Sequence, residues 1–337
     1  MPELGGSPDP PFCYALFVPP VLELRAISKT FPSHKAVDNV SLILQRGELH
    51  ALLGPSGCGK TTCLRMVAGF EIPDTGQILL NGSDIAPLKP YERNVSTVFQ
   101  SYALFPHLTV FDNVAFGLRQ RKDHTIESKV RAALELVQLE HKAGHKPAQM
   151  SGGEKQRAAL ARSLVLEPDL LLLDEPLSAL DPNLRQEVRL ELKALQRRVG
   201  ITFLMVTHDQ EEALSMADRI TLMNKGRVEQ VGTPQQIYLT PATRFTASFL
   251  GAMNWLNDIG IRPESTRLGR AHPGQGVHTH PARITHSTFL GDCYHIQAEI
   301  AGGHQMMAQI SRTPDEYHPG DQVHVWWHPA DELHLPQ

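Results

Sequence analysis

The chain has 337 residues, enough for roughly two domains. With 41% hydrophobic and 20% charged residues it has the make-up of a globular chain, which excludes disordered, collagenous and coiled-coil classes. Its 32 Lys and Arg against 36 Asp and Glu give a formal charge of −4, so no basic excess points to nucleic acid.

Residues 1–20 are Pro-rich and without period, and are expected to form a loose tail. The apolar run Phe12 to Val18 stops at Pro19-Pro20, short of the roughly 20 residues a spanning helix needs. No basic stretch precedes it, as a secretory signal requires. Cys13, Cys58, Cys63 and Cys293 follow neither a disulfide framework nor C-x-x-C spacing, which fits a reducing cytosol.

From Val21 to about Gly232, short apolar runs alternate with helical patterns, the signature of a mostly parallel α/β domain. Leu49 to Leu53 reads as a buried strand that runs into glycines. Leu170 to Leu173 suits a central parallel strand, and Ile201 to Val206 a third. Asp181 and Pro182 open a helix whose apolar face is Leu184, Val188, Leu192 and Leu195, and Gly200 ends it. Two short helical stretches run to Phe249. Leu268 to His280 reads as a loop, followed by strands over Arg283–Phe289, Cys293–Ile300, Met306–Ile310 and Gln322–His328. Val323, Val325 and Trp327 share one face of the last. No internal repeat is present.

Gly54-Pro55-Ser56-Gly57-Cys58-Gly59-Lys60-Thr61 matches G-x-x-x-x-G-K-[ST] between a strand and a helix-compatible stretch beginning at Thr62. Such a loop turns its N–H groups inward around phosphates. Lys60 places a cation between the β- and γ-phosphates, the Thr61 hydroxyl can ligate Mg²⁺, and the helix N-terminus adds its dipole. A glycine-rich turn is the plain alternative, and the strand-loop-helix context argues against it. After the leucine strand, Asp174 sits where ligands of parallel sheets bind and would hold Mg²⁺. Glu175 points elsewhere and can polarise a water as general base. Ser151-Gly152-Gly153-Glu154 is a capping box opening a helix that runs to Val165. Read functionally, Ser151 and two glycine N–H groups form a second anion site, which makes sense if it completes the nucleotide site of another copy.

Together these motifs resemble those of the ATPase subunit of an ATP-binding-cassette (ABC) importer, over about residues 21–337. The order matches: phosphate loop, Gln100, the signature Met150 to Arg157, Asp174-Glu175, Ser178 to Asp181, and His208. The resemblance implies an α/β phosphate-loop nucleotide-binding domain over 21–240, with a helical subdomain at about 100–165. A small, shortened β domain of OB-like, TOBE type would fill 241–337. It implies that ATP and Mg²⁺ bind at Gly54 to Thr62, with metal contacts from Thr61, Gln100 and Asp174. Gln100 would sense Mg²⁺ and the attacking water, and His208 would contact the γ-phosphate and align Glu175. The Ser151 to Glu154 signature would close on the nucleotide of a second copy. Phe31 resembles the aromatic that stacks on adenine, and fits a core position too. Met150 replaces the usual Leu, Glu154 the commoner Gln, and Phe31 a Tyr or Trp.

In this family Tyr102 to His107 lies on the helical subdomain, where exposed aromatics would receive a coupling helix of two membrane permease subunits; packing within the subdomain is the alternative. An extracytoplasmic solute-binding protein would be an indirect partner, and the chain would sit on the cytoplasmic face of the inner membrane. Tyr91 to Phe99 and Glu191 to Gln196 look closest to polyamine importers; ferric iron, sulfate and sugar importers share most of the pattern. Landmarks Gly251 to Asn254 and Ile261 to Glu264 are only six residues apart, so a strand set of the β domain looks missing. Ten of the 17 histidines fall between His272 and His334. Pairs such as His278/His280 could bind metal, though scattered surface histidines fit better.

Overall fold

The computed structural model describes residues 19–312 and 317–335. The tail expected over residues 1–20 lies outside the described residues except for Pro19 and Pro20. The elements begin with β1 (Leu22–Phe31), β2 (His34–Leu44), β3 (Leu49–Leu53), α1 (Lys60–Ala68), β4 (Thr75–Leu80), β5 (Ser83–Asp84) and β6 (Val95–Val98). Next come α2 (Val110–Gln120), α3 (Ile126–Leu136), α4 (Gly152–Leu164), β7 (Leu170–Asp174), α5 (Pro182–Val199) and β8 (Thr202–Thr207). They continue with α6 (Gln210–Met216), β9 (Arg219–Asn224), β10 (Arg227–Gly232), α7 (Pro234–Leu239) and α8 (Arg244–Phe249). The last are β11 (Asn254–Leu256), β12 (Ile259–Ile261), β13 (Arg267–Gly269), β14 (His278–Phe289), β15 (Cys293–Ile300), β16 (Gln305–Ser311), β17 (Gln322–Trp327) and β18 (Leu333–His334). Among the described residues, no helix is long and apolar enough to cross a membrane.

Packing divides the chain into two compact units, one of residues up to Glu48 with Thr62–Leu204, the other of Leu49–Thr61 with the residues from Met205 on. In the first unit, β6 and β7 pair in parallel, Val95 opposite Leu170. Leu170 to Leu173 are fully buried, as a leucine run covered on both faces must be. Helices α2, α3 and α4 pack on one another. The α5 boundaries follow from local chemistry: the Asp181 side chain accepts from the Leu184 amide, Pro182 sits in the first turn, and Gly200 ends the helix at φ 69°. Gln196 on α5 is buried, and its amide nitrogen donates to Gly47 O at 2.7 Å and Ile201 O at 3.1 Å.

This unit also holds an antiparallel sheet in the order β2-β1-β4-β5, which the reading of a mostly parallel domain did not include. Its strands carry left-handed breaks at Ala26 and Asn39 and register shifts between β1 and β2, so the alternation that marks a strand is interrupted.

In the second unit, β3 runs parallel to β9, and β10 returns antiparallel to β9. The C-terminal strands form a three-stranded sheet β11-β12-β18 and a five-stranded sheet β13-β17-β14-β15-β16. Ile261, Ile284, Ile296, Met306, Val325 and Trp327 make their core. The loop expected over Leu268 to His280 is corrected: it contains the end of β13, and β14 already begins at His278. Pro281 obscured that start. It sits where β14 pairs with β17 alone, pairing with β15 beginning at Ala282, so its missing donor is tolerated. The six residues between the two landmarks are a tight hairpin, with Asn254 opposite Ile261 and Asn257 left-handed at its turn.

Candidate functional site

Each unit carries its own share of the expected residues. In the second, β3 delivers the chain into the loop Gly54 to Gly59 and then into α1. Gly54 is required by close approach, since a Cβ there would lie 2.2 Å from Met223 O. Gly57 and Gly59 take φ of 77° and 102°, which turns the backbone around Lys60. The Lys60 ammonium, 5% exposed, donates to Gly54 O at 2.6 Å and Pro55 O at 3.0 Å. The Cys58 sulfur lies 3.7 Å from it, and burial raises the Cys58 thiol pKa. A buried cation within a loop of first-turn amides, on a helix with no acid in its first turn, fits an anionic phosphate chain. Thr61 and Thr62 follow on the first turn of α1.

His208 stands in the same unit, between β8 and α6. The turn is braced around it. Thr207 Oγ1 donates to Glu212 Oε2 at 2.6 Å and accepts from the Asp209 amide at 2.9 Å, while Asp209 caps α6 through the Glu211 and Glu212 amides. These bracing roles were not read from the sequence, although Asp209-Gln210-Glu211-Glu212 carries the N-cap signal.

In the first unit, β7 ends at Asp174. Burial, and then the neighbouring charge of Glu175, raise the Asp174 pKa, and Arg65 on α1 opposes them. A cation would relieve that crowding. Glu175 takes φ 46°, uncommon for a residue with a side chain, and its carbonyl accepts from Ser178 Oγ at 2.9 Å. No group of three or more His, Cys, Asp or Glu suited to a metal exists among the described residues, the C-terminal histidines included. His278 instead bonds Glu332, and His280 stacks on Trp327.

The capping box is made as expected. Ser151 Oγ accepts from the Glu154 amide at 3.3 Å, and Glu154 Oε2 accepts from the Ser151 amide at 2.8 Å. The bond from Ser151 holds Glu154 below the usual carboxylate range, with Lys142 assisting. Gly152 abuts Leu180, where a Cβ would come within 3.0 Å, so the signature turn and the Ser178 to Asp181 segment are neighbours. Met150 is buried just ahead of Ser151.

Gln100 is exposed just beyond β6. Phe31 is half-buried at the β1–β2 turn, its ring 5.8 Å from that of His34. The expectation of exposed aromatics over Tyr102 to His107 is corrected. Tyr102 is buried, and Phe105 is half-buried with its ring 4.7 Å from Phe116. Ala103, Pro106 and His107 are the exposed residues of the segment, and the first two carry no aromatic ring. Alternation alone could not show that the chain turns left-handed at Tyr102 and Ala103 and folds the tyrosine inward.

The ABC transporter profile matches residues 37–178 and the TOBE domain profile residues 259–335. The chain is 45% identical to the spermidine/putrescine import ATP-binding protein PotA of Thermobifida fusca, covering 94% of each chain. It is 44% identical to PotA of Bacillus cereus over 94% of this chain and 99% of the relative, and 41% identical to the putrescine transport ATP-binding protein PotG of Escherichia coli over 91% and 93%. Among solved structures it resembles cbiO1 of Clostridium perfringens, part of the ABC transporter complex cbiONQ, at 30% identity and TM-score 0.60, covering 65% of this chain and 90% of that one. The chain belongs to the ATP-binding subunits of ABC transporters.

Proposed function

We infer that this chain hydrolyses ATP to drive polyamine import through a membrane ABC transporter. The observation that carries the reading is likeness to polyamine import ATP-binding proteins over nearly the full length of both chains. A buried Lys60 inside a glycine loop at a helix N-terminus supports the ATPase part. A ferric iron, sulfate or sugar cargo is not favoured.

In this reading Lys60 and the Gly54 to Thr62 backbone hold the phosphates, and Phe31 faces the adenine. Thr61, Asp174 and Gln100 hold Mg²⁺, which supplies charge neutralisation on the phosphate oxygens. Glu175 takes the proton of the attacking water, and His208 keeps water and γ-phosphate in line. Ser151 to Glu154 serve the nucleotide of a second copy of the chain, so the working unit is a homodimer on two permease subunits. It docks around Tyr102 to His107 at the cytoplasmic face of the inner membrane. The ATPase domain takes residues 21–240, with its helical part near 100–165, and a regulatory β domain takes 241–337.

Co-purification with the permease subunits, followed by hydrolysis assays with binding protein carrying spermidine, ferric iron, sulfate or maltose, tests the assignment. Stimulation by the spermidine-loaded protein alone is expected. Stimulation by one of the others would overturn the cargo, and no stimulation in any intact complex would overturn the importer role.

A further inference from the structure

Arg162 lies on α4, the helix that the Ser151 to Glu154 signature opens, and its side chain leaves that helix for the segment after Gln100. Nη1 donates to Ala103 O at 2.6 Å and Nη2 to Tyr102 O at 2.9 Å. The guanidinium also lies 6.0 Å from the centre of the Phe105 ring. Tyr102 and Ala103 have φ of 62° and 49°, two consecutive left-handed residues with side chains. Such a pair is costly and persists only where its surroundings hold it. The planar two-pronged donor of arginine suits two adjacent carbonyls, and lysine cannot reproduce it. Burial lowers the Arg162 pKa from its ordinary value, and the carbonyl dipoles and ring face that the guanidinium meets favour its charged form against that cost.

The bonded segment joins two places of consequence. On one side Tyr102 N donates to Phe99 O at 2.8 Å, next to Gln100. On the other, Phe105 N donates to Asn113 Oδ1 at 2.8 Å, which fixes the base of the exposed Pro106-His107 turn on α2. A push on that turn therefore reaches Gln100 along the chain and the signature helix through Arg162. We propose that Arg162 is a positioning residue that couples the permease-facing turn to the signature helix. It transmits occupancy of the turn to the end of α4 that serves the second copy's ATP. The proposal rests on the docking reading for Tyr102 to His107.

The test compares hydrolysis by the isolated chain with hydrolysis in the permease complex for wild type, Arg162→Lys, Arg162→Met and His107→Glu, with permease pull-down for each. Both Arg162 variants should keep isolated-chain hydrolysis and permease binding, and should lose about fivefold or more of the stimulation by the permease. His107→Glu should lose binding. Arg162→Lys with full stimulation overturns the coupling role. So does a loss of isolated-chain hydrolysis in the same proportion as the complex's, since a merely structural residue would lower both alike. If His107→Glu binds normally, the docking reading fails and the coupling of this turn falls with it; if His107→Glu loses binding while Arg162→Lys keeps full stimulation, the coupling alone fails and the docking reading stands.

Discussion

Arg93 Nη1 donates to Met66 O at 2.6 Å, at the C-terminal end of the helix whose N-terminus follows the phosphate loop. The guanidinium, 3% exposed, also donates to the carbonyls of Val67, Leu88 and Ala86. A cation at the last turn of α1 meets its exposed carbonyls and the negative end of its dipole. Gly69 leaves the room, because a Cβ there would lie 2.7 Å from Arg93 Nε. Arg93→Met should leave these carbonyls unpaired and cost on the order of 2–4 kcal/mol, read as a lower denaturant midpoint. An unchanged midpoint would remove Arg93 as the clamp of α1.

Lys60→Ala removes the ammonium that bonds Gly54 O and Pro55 O inside the loop Gly54 to Gly59. Hydrolysis in the reconstituted transporter should fall below about a tenth of wild type, given the scale of charge stabilisation at such sites. Malachite-green phosphate release measures it, and activity above that level counts against the assignment.

Ser151→Arg should block hydrolysis while leaving ATP binding by the isolated chain nearly intact, because Ser151 is assigned to the other copy's nucleotide. Loss of the N-cap costs about 1 kcal/mol, too little to unfold a domain. Equilibrium titration with a fluorescent ATP analogue distinguishes the cases; a large affinity loss in the monomer would mean that Ser151 serves its own chain's ATP.

The same capping box has an acid limb. Glu154 has a lowered pKa in the fold, so its contribution is present above the unfolded carboxylate value and is lost as pH falls through the folded one. The stability gap between wild type and Glu154→Gln should therefore be widest near neutral pH and shrink below about pH 4. Thermal melts across that range would show it, and a gap independent of pH would contradict the charge's role.

Much of this was legible from local chemistry. The phosphate loop, the Asp181 and Ser151 caps, and the leucine strand at Leu170 each declare themselves within a few residues, since backbone and side chain satisfy one another at short range. What escaped depends on partners far along the chain. Nothing in the neighbouring sequence marks Arg93 or Arg162 for these roles, because the carbonyls of Met66 and Ala103 that they bind lie 27 and 59 residues away. Tyr102 looked exposed because nothing local shows the left-handed turn that buries it. The sequence places the start of β14 too late because Pro281 mimics a loop signal, and its one-sided pairing explains the tolerance.

The central claim is that hydrolysis with Glu175 as base powers polyamine uptake. Proteoliposomes carrying the assembled transporter, with ATP and Mg²⁺ on the side of this chain and labelled spermidine with its binding protein on the other, measure it directly. Wild type should accumulate spermidine only with ATP. Glu175→Gln should bind ATP and form a stable dimer, yet transport at least about 10²-fold more slowly, the usual scale for loss of a general base. Uptake by Glu175→Gln at the wild-type rate, or wild-type uptake without ATP, would contradict the account.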